Sequence, residues 1–203
     1  MKTQVIFIHG GETFETYEEY MSFLRDCVVD LDKLRKRKWA ENLQSELGDD
    51  FDVIVMRMPC KYNAKYSEWK LWFEKHIPLF NDEVILIGHS LGGIFLAKYL
   101  SENKFPKKLL GVFLVSSPYD SEASGYDLLD FSLTGGLKQL EEQAGNIFLY
   151  HSKDDDVCPF ADFEKYRKAL PNANTEVFED REHINQETFP EIVRDIKNLS
   201  PLT

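Results

Sequence analysis

Short apolar runs rich in β-branched residues recur along the chain, with longer amphipathic stretches between them. These runs predict six strands: Val5–Ile8, Phe51–Met56, Val84–Ile87, Val112–Val115, Ile147–Tyr150 and Glu176–Phe178. The middle runs are continuous rather than alternating, which is typical of strands covered on both faces by helices.

Apolar residues at helical spacing lie between the predicted strands and after the last one. The patterns are Trp39, Leu43 and Leu47; Trp69, Trp72, Phe73 and Ile77; Phe163, Tyr166 and Leu170; and Phe189, Ile192, Val193 and Ile196. The stretch Leu91–Leu100 is apolar nearly all round, which predicts a helix buried against the sheet. Alternation of strand and helix predicts an α/β fold: one domain over residues 1–203, with a six-stranded, mainly parallel sheet and helices on both faces.

Composition and charge narrow the classes of partner. The chain has 203 residues, 43% of them hydrophobic, and a formal net charge of −11. Such an acidic surface repels nucleic acid and anionic membranes, so neither is expected as a partner, and we expect no membrane insertion. Polyanionic substrates are disfavoured as well, unless a local basic pocket outweighs the negative potential of the surface as a whole.

Cysteine usage and hydropathy indicate a cytoplasmic protein. Cys27, Cys60 and Cys158 are odd in number and widely spaced, which suits a reducing compartment better than a disulfide framework. The apolar stretch Val5–Ile8 is too short for a signal-peptide core, and no run approaches the ~18 residues of a spanning helix.

The third predicted strand runs directly into Gly88-His89-Ser90-Leu91-Gly92, a G-x-S-x-G pattern followed by the apolar helix. In this strand–turn–helix context the pattern predicts a nucleophile elbow, in which a strained turn presents the serine oxygen at the edge of the sheet. The alternative is a glycine-rich turn without chemistry.

Two backbone N–H groups near Ser90 are candidates for an oxyanion hole. One belongs to Leu91, at the start of the helix. The other comes from the turn His9-Gly10-Gly11-Glu12 after the first strand, where we favour Gly11 over Glu12. A plain glycine turn is the alternative here too.

An acid and a base are expected at the ends of the fifth and sixth strands. The turn after the fifth strand reads His151-Ser152-Lys153-Asp154-Asp155-Asp156, and one of its aspartates is expected to orient a histidine while the other two are solvated. His183 follows the sixth strand, giving the order Ser, Asp, His that this type of fold requires. A metal site combining His151 with the aspartates is a weaker alternative, since no ligand spacing supports it.

These residues resemble the α/β-hydrolase superfamily and, more narrowly, the small serine hydrolases related to retinoblastoma-binding protein 9 and the YdeN-type hydrolases. The resemblance spans Val5 to Leu199 and is carried by Ile87-Gly88-His89-Ser90, by Leu114-Val115-Ser116, by the aspartate turn leading to Pro159, and by His183 with Asn185. It implies that Asp155, four residues before the proline, is the catalytic acid. It also implies a serine hydrolase, often a carboxylesterase, that needs no cofactor and no metal.

The chain departs from that family in two places. The family usually has glycine immediately before the histidine, where this chain has Glu182. The stretch from Glu12 to Asp50 is also longer than the family leads us to expect, so the rim near the oxyanion turn is expected to differ.

Two further segments bear on the substrate. Residues 117–136 are too short for a cap domain but long enough for a short lid over an acyl pocket, or they complete the core. The pocket candidates are Glu12, His89, Tyr119, Tyr126, Leu129 and Phe131. The basic run Lys33–Lys38 is interpreted as a solvated helix face, with an anion patch or a localisation signal as the alternative.

The resulting hypothesis is cleavage of a small-molecule ester or related acyl bond by Ser90, His183 and Asp155. Peptidase or amidase activity is the nearest alternative. A protein-binding module on a hydrolase scaffold that no longer turns over is the rival from another class.

Overall fold

The computed structural model describes residues 2–122 and 127–199, apart from the side chains of Lys33 and Leu34. The strands are β1 (Thr3–Ile8), β2 (Phe51–Met56), β3 (Glu83–His89), β4 (Lys108–Val115), β5 (Ile147–Ser152) and β6 (Asn174–Phe178). The helices are α1 (Tyr17–Asp26), α2 (Leu31–Arg35), α3 (Trp39–Leu47), α4 (Tyr66–His76), α5 (Leu91–Glu102), α6 (Lys138–Gln143), α7 (Phe160–Ala169) and α8 (Pro190–Leu199). All six predicted strands are present, and the predicted α/β fold is confirmed.

The strands form one sheet in the order β2-β1-β3-β4-β5-β6, and every neighbouring pair is parallel. Strand order reverses at β1, because the chain passes from β1 to β2 on one side and then returns to β3 on the other. Ligands of open parallel sheets bind at such a reversal, beyond the carboxyl ends of the strands. The loops after β1 and β3 therefore lie where a site is expected.

The core lies on both faces of the sheet. Helices α4, α5, α6 and α7 pack on one face, and the largest side chains buried there include Trp69, Phe73, Phe95 and Tyr166. Helices α3 and α8 cover the other face with Trp39, Leu43, Ile192 and Ile196. Helix α5 is buried almost all round, as its apolar sequence predicts. Within the described ranges no helix has the length and apolar character needed to cross a membrane.

The first turn of α7 contains a carboxyl group with no exposure to solvent. Asp162 is 0% exposed, and the backbone N–H groups of Tyr119 and Asp120 approach its carboxylate oxygens without reaching good hydrogen-bond geometry. Burial, reinforced by the negative charge of Asp120, raises the pKa of Asp162 to about 6. The ionised form of this side chain is therefore poorly accommodated in the folded state.

We expect the substitution Asp162→Asn to stabilise the protein above pH 6 but not near pH 4. Below its ordinary pKa of 3.8 the group is neutral in both the folded and the unfolded state, so its ionisation contributes nothing. As the pH rises towards 6 the unfolded state ionises first, and a penalty of about 3 kcal/mol builds up and then stays constant. The amide cannot ionise and avoids this penalty.

Urea unfolding at pH 4 and pH 7.5 measures the difference in the free energy of unfolding between Asp162→Asn and the wild type. Asp49→Asn, in the exposed turn before β2, is the matched control and should change little at either pH. Equal destabilisation of Asp162→Asn at both pH values would contradict the argument.

Candidate active site

Ser90 occupies the sharp turn between β3 and α5. Its φ of 55° and ψ of −126° lie in a region that side chains rarely adopt. The turn is fixed because the Ser90 N–H donates to the Val115 carbonyl at 2.9 Å, while the Ser90 carbonyl accepts from the Gly93 N–H at 2.8 Å. A Cβ atom on Gly92 would lie 2.3 Å from the Ile8 carbonyl oxygen, so glycine is required where α5 begins against β1. The strained turn is the feature that the G-x-S-x-G pattern predicts.

The turn after β1 passes directly against Ser90. A Cβ on Gly10 would lie 2.9 Å from the Ser90 Cβ and 3.3 Å from its Oγ. The Glu12 N–H donates to the Lys61 carbonyl at 2.7 Å and is therefore already used. Among the hydrogen bonds of the described residues, none uses the N–H of Gly11 or Leu91. Of the two donors considered from the sequence, Gly11 is thus the better candidate.

Both ring nitrogens of His9 form hydrogen bonds that hold this turn in place. Its Nε2 accepts the Met58 N–H at 3.0 Å, so the proton resides on Nδ1, which donates to the Gly10 carbonyl at 2.6 Å. Burial lowers the pKa of His9, and the nearby charge of Lys61 adds to that effect. The ring therefore stays neutral. Because the Gly10 carbonyl and the Gly11 N–H belong to one trans peptide, fixing the carbonyl also fixes the direction of that N–H.

Asp155 follows β5 and is buried, with no exposed carboxylate surface. Its Oδ1 accepts the N–H groups of Val157 and Cys158 at 3.0 and 2.8 Å, and its Oδ2 accepts His183 Nδ1–H at 2.9 Å. Burial acts to raise the pKa of Asp155, but the His183 hydrogen bond and charge together with the Cys158 N–H outweigh it and lower that pKa. The carboxylate is therefore ionised and oriented towards His183.

His183 lies in the loop between β6 and α8, between two residues with left-handed backbone, Glu182 at φ 47° and Ile184 at φ 45°. Its own carbonyl accepts His89 Nε2–H at 2.9 Å, and the Ile184 carbonyl accepts Trp39 Nε1–H at 2.8 Å. Two neighbouring elements thus hold this loop in place. Since Nδ1 is engaged with Asp155, Nε2 is the nitrogen left for chemistry.

His89, the residue before Ser90, contacts the loop that contains His183. Its ring centroid lies 4.8 Å from that of His183. Burial, and then the positive charge of His183, lower the pKa of His89 to about 3. His89 is therefore neutral at ordinary pH and acts as a fixed hydrogen-bond donor rather than a second base.

The aspartates beside Asp155 do not behave alike. Asp154, expected to be a solvated turn residue, is exposed but accepts the Ser152 hydroxyl and, at 2.9 Å, the Glu182 N–H. Hydrogen bonding to Ser152, and then to the base loop, lowers the pKa of Asp154. It thus links the turn that contains Asp155 to the loop that contains His183. His151, the alternative metal ligand, donates to the Cys158 carbonyl at 2.7 Å and lies 3.9 Å from Asp155.

Ser90 and His183 line one cleft of about 810 Å³ at the carboxyl end of the sheet. Within the described part of the chain no hydrogen bond joins the two side chains. Catalytic hydrogen bonds are often longer in a free enzyme and shorten with substrate bound. The structure therefore brings together His183 and Asp155 by direct contact, and Ser90 with them in one cleft.

The pocket candidates divide between the cleft and the core. Glu12 and His89 line the cleft, whereas Tyr119, Leu129 and Phe131 do not. Phe131 as a pocket residue is wrong: it is 0% exposed, packs edge-on against Trp69 with ring centroids 5.3 Å apart, and so completes the core. Tyr119 packs edge-on against Tyr166 at 4.9 Å, and Leu129 is partly buried in a short 3-10 turn. Tyr126 lies outside the described residues.

Sequence reasoning missed the opposite wall of the cleft. It is formed by residues before α3 and after β2, including Lys38, Arg57, Lys61 and Tyr62. Two signals were available. Lys38 ends the basic run that was interpreted as a solvated face, and Arg57 follows β2, whose carboxyl end lies beside that of β1.

Comparison with known proteins places this geometry in a family. A family model described as serine hydrolase matches residues 30–192. A Bacillus subtilis protein described as a hydrolase, YdeN, is 23% identical over 163 residues, which cover 79% of this chain and 75% of the relative.

Solved structures share the fold. The ydeN gene product of B. subtilis superposes with a TM-score of 0.77 at 18% identity, covering 98% of both chains. The Pyrococcus furiosus esterase Pf2001 gives a TM-score of 0.58 at 18% identity, over 98% of this chain and 82% of the other. A lipase-esterase related protein of Clostridium acetobutylicum gives 0.61 at 13% identity, over 98% and 94%.

Proposed function

Since this chain belongs to the serine hydrolase family, we propose that it cleaves a carboxylic ester of a small molecule through an acyl-enzyme intermediate. Ser90 is the nucleophile, His183 the general base and Asp155 the acid that orients it. The observation that carries the proposal is the 2.9 Å hydrogen bond between buried Asp155 and His183 Nδ1, made in the cleft that the strained Ser90 also lines.

The proposed reaction has two stages, acylation of Ser90 and hydrolysis of the acyl enzyme. His183 Nε2 takes the proton of the Ser90 hydroxyl as its oxygen attacks the substrate carbonyl, and the ionised Asp155 stabilises the imidazolium that forms. The N–H groups of Leu91 and Gly11 stabilise the oxyanion of the tetrahedral intermediate. His183 then protonates the departing alcohol, and water activated by the same histidine hydrolyses the acyl enzyme.

Two considerations favour esters over peptides as substrates, and the cysteines favour a cytoplasmic location. Esters and thioesters have better leaving groups than amides, and proteins named as esterases are among the structures that share this fold. Exposed Cys27 and Cys60 suit a reducing compartment.

Labelling with a fluorophosphonate probe tests the proposal. We expect the wild type to be labelled at one site, which peptide mass spectrometry assigns to Ser90, and we expect Ser90→Ala to remain unlabelled. Ser101→Ala, on the far end of α5 with its hydroxyl bonded to the Ala97 carbonyl, is the matched control and should label like the wild type. A folded wild type that is neither labelled nor active on any ester would instead favour the binding module.

A further inference from the structure

The wall of the cleft opposite the core is basic, although the protein as a whole carries a net charge of −11. Lys38, Arg57 and Lys61 all line the cleft that contains Ser90 and His183. Among the described residues, no carboxylate forms a salt bridge with any of these three side chains. Other cations of the described residues do have carboxylate partners, for example Lys108 with Glu83 and Arg181 with Glu191. The three cleft cations are therefore without a counter-charge within contact distance.

The two lysines act on each other and on the reaction centre. Burial lowers the pKa of Lys38, and the positive charge of Lys61 lowers it further. Lys38 also acts on His89 next to the nucleophile, and Lys61 acts on His9 in the oxyanion turn. Because both lysines line the cleft that Ser90 and His183 also line, an anion bound in this cleft would relieve their mutual repulsion.

Two carboxyl groups, Glu12 and Glu41, also line this cleft, so three cationic side chains stand against two acidic ones there. The Glu12 side chain is partly buried, and burial raises its pKa. Glu41 accepts the backbone N–H of Lys38 at 3.3 Å, at the start of α3. The repulsion from Lys61 on Lys38 exceeds the attraction from Glu41.

We propose that the substrate of this hydrolase carries an anionic group, of the carboxylate type, that binds against Lys38 and Lys61, with Arg57 extending the same basic wall. This inference rests on the proposed function, because it names the class of ester that the Ser90 site takes. The Lys61 ammonium lies 4.6 Å from the centroid of the Tyr62 ring, but in the part of the chain that the structure describes none of the three cations has a carboxylate partner in a salt bridge, and an anionic ester would supply one.

Two pairs of matched esters test the inference. The first compares mono(4-nitrophenyl) glutarate with its neutral amide analogue, 4-nitrophenyl glutaramate, and so places the charge in the acyl group. The second compares 4-carboxyphenyl butyrate with 4-carbamoylphenyl butyrate, and so places it in the leaving group. In at least one pair we expect kcat/KM to favour the anionic ester about tenfold or more at low salt. That preference should shrink as the ionic strength rises, because salt screens exposed charges.

The double variant Lys38→Gln, Lys61→Gln should lower the anionic-to-neutral ratio of kcat/KM about tenfold, chiefly through KM for the anionic ester. Lys36→Gln removes a charge from the same basic run but from outside the cleft lining, and should leave the ratio unchanged. The inference is overturned if neither pair shows a preference, or if the cleft variant and the Lys36 variant change the ratio equally.

A binding measurement separates failure of this inference from failure of the proposed function. Calorimetry with the Ser90→Ala variant compares glutaranilic acid with the neutral glutaranilide amide, neither of which requires turnover. Tighter binding of the acid that the lysine substitutions abolish supports the anion site even if no ester is cleaved. Equal binding of the two anilides, with ester cleavage intact, would leave the proposed function standing and remove the anion site.

Discussion

The substitution Asp155→Asn should lower kcat for ester hydrolysis by about 10⁴-fold, as expected when a triad histidine is held in the wrong tautomer. Asp155 Oδ1 accepts two backbone N–H groups, and Oδ2 accepts His183 Nδ1–H. An asparagine has one acceptor oxygen, and the two backbone donors hold it at the Oδ1 position. Its NH₂ group then takes the Oδ2 position, 2.9 Å from His183 Nδ1, so the shorter of the two contacts (Oδ1 lies at 3.1 Å) requires Nδ1 to become an acceptor. The proton moves to Nε2, where a base is needed.

The matched variant is Asp154→Asn, one residue earlier in the same turn. Its carboxylate does not reach the His183 ring but fastens the Glu182 N–H, so we expect a loss of no more than about tenfold, typical of a change in positioning. Steady-state kinetics on one 4-nitrophenyl ester measures both variants. If Asp154→Asn were the more damaging of the two, the acid would be wrongly assigned.

The substitution His9→Ala should lower kcat by about 10²-fold, close to the loss of one oxyanion donor. Without the imidazole the Gly10 carbonyl loses its 2.6 Å hydrogen bond, and the peptide that presents the Gly11 N–H can rotate. Binding of the ground-state ester does not depend on that N–H, so KM should change little. The rate of fluorophosphonate labelling should fall with kcat, because that reaction also develops negative charge on oxygen.

Partial rescue distinguishes positioning from general loss of structure. In His9→Asn the amide nitrogen lies near the position of Nδ1 and can still donate to Gly10, so activity should recover towards the wild type. His76→Ala, on the exposed end of α4, is the control and should keep full activity. An effect of His9→Ala below about threefold would mean that the oxyanion turn keeps its shape without the imidazole.

The sheet was predictable from sequence because its strands are buried on both faces and therefore read as continuous apolar runs. The six runs fall within the observed strands, which extend beyond several of them by one to four residues. Helix α1 was not predicted, although Tyr17, Tyr20, Met21 and Leu24 recur at helical spacing, and none of its residues is buried in the fold. Its start was nevertheless encoded in Thr16 and Glu19, which form a capping box.

Candidate site residues that lie in a short motif or at the end of a predicted strand could be predicted from the sequence. Residues that come together only through tertiary packing could not. Gly88 to Gly92 marks the elbow in one short segment, and His183 follows the last strand. The basic wall could not be predicted because Lys38 and Lys61 are far apart in sequence and come together only when the folded chain forms the cleft. Phe131 was misassigned because an aromatic side chain in a connector has the same sequence signature over a pocket as in a core.

The left-handed backbone before His183 is one that glycine adopts without strain, which fits the glycine that the resemblance leads us to expect at this position. Glu182 has a φ of 47°, a conformation that costs a residue with a side chain about 1 kcal/mol or more. The Asp154 hydrogen bond to its N–H helps to hold it there. In this chain a hydrogen bond to the Glu182 N–H helps to hold the left-handed conformation, rather than a glycine that would adopt it without strain.

Trp39 links the start of α3, next to the proposed anion site, to the loop that contains His183. Its backbone N–H donates to the Gln186 carbonyl at 2.8 Å and its indole N–H to the Ile184 carbonyl at 2.8 Å, so the start of α3 is tied at two points to the loop of the general base. The residue immediately before it is Lys38. We therefore expect an anion that binds Lys38, as proposed, to influence the position of the loop that contains His183 as well as to hold the substrate.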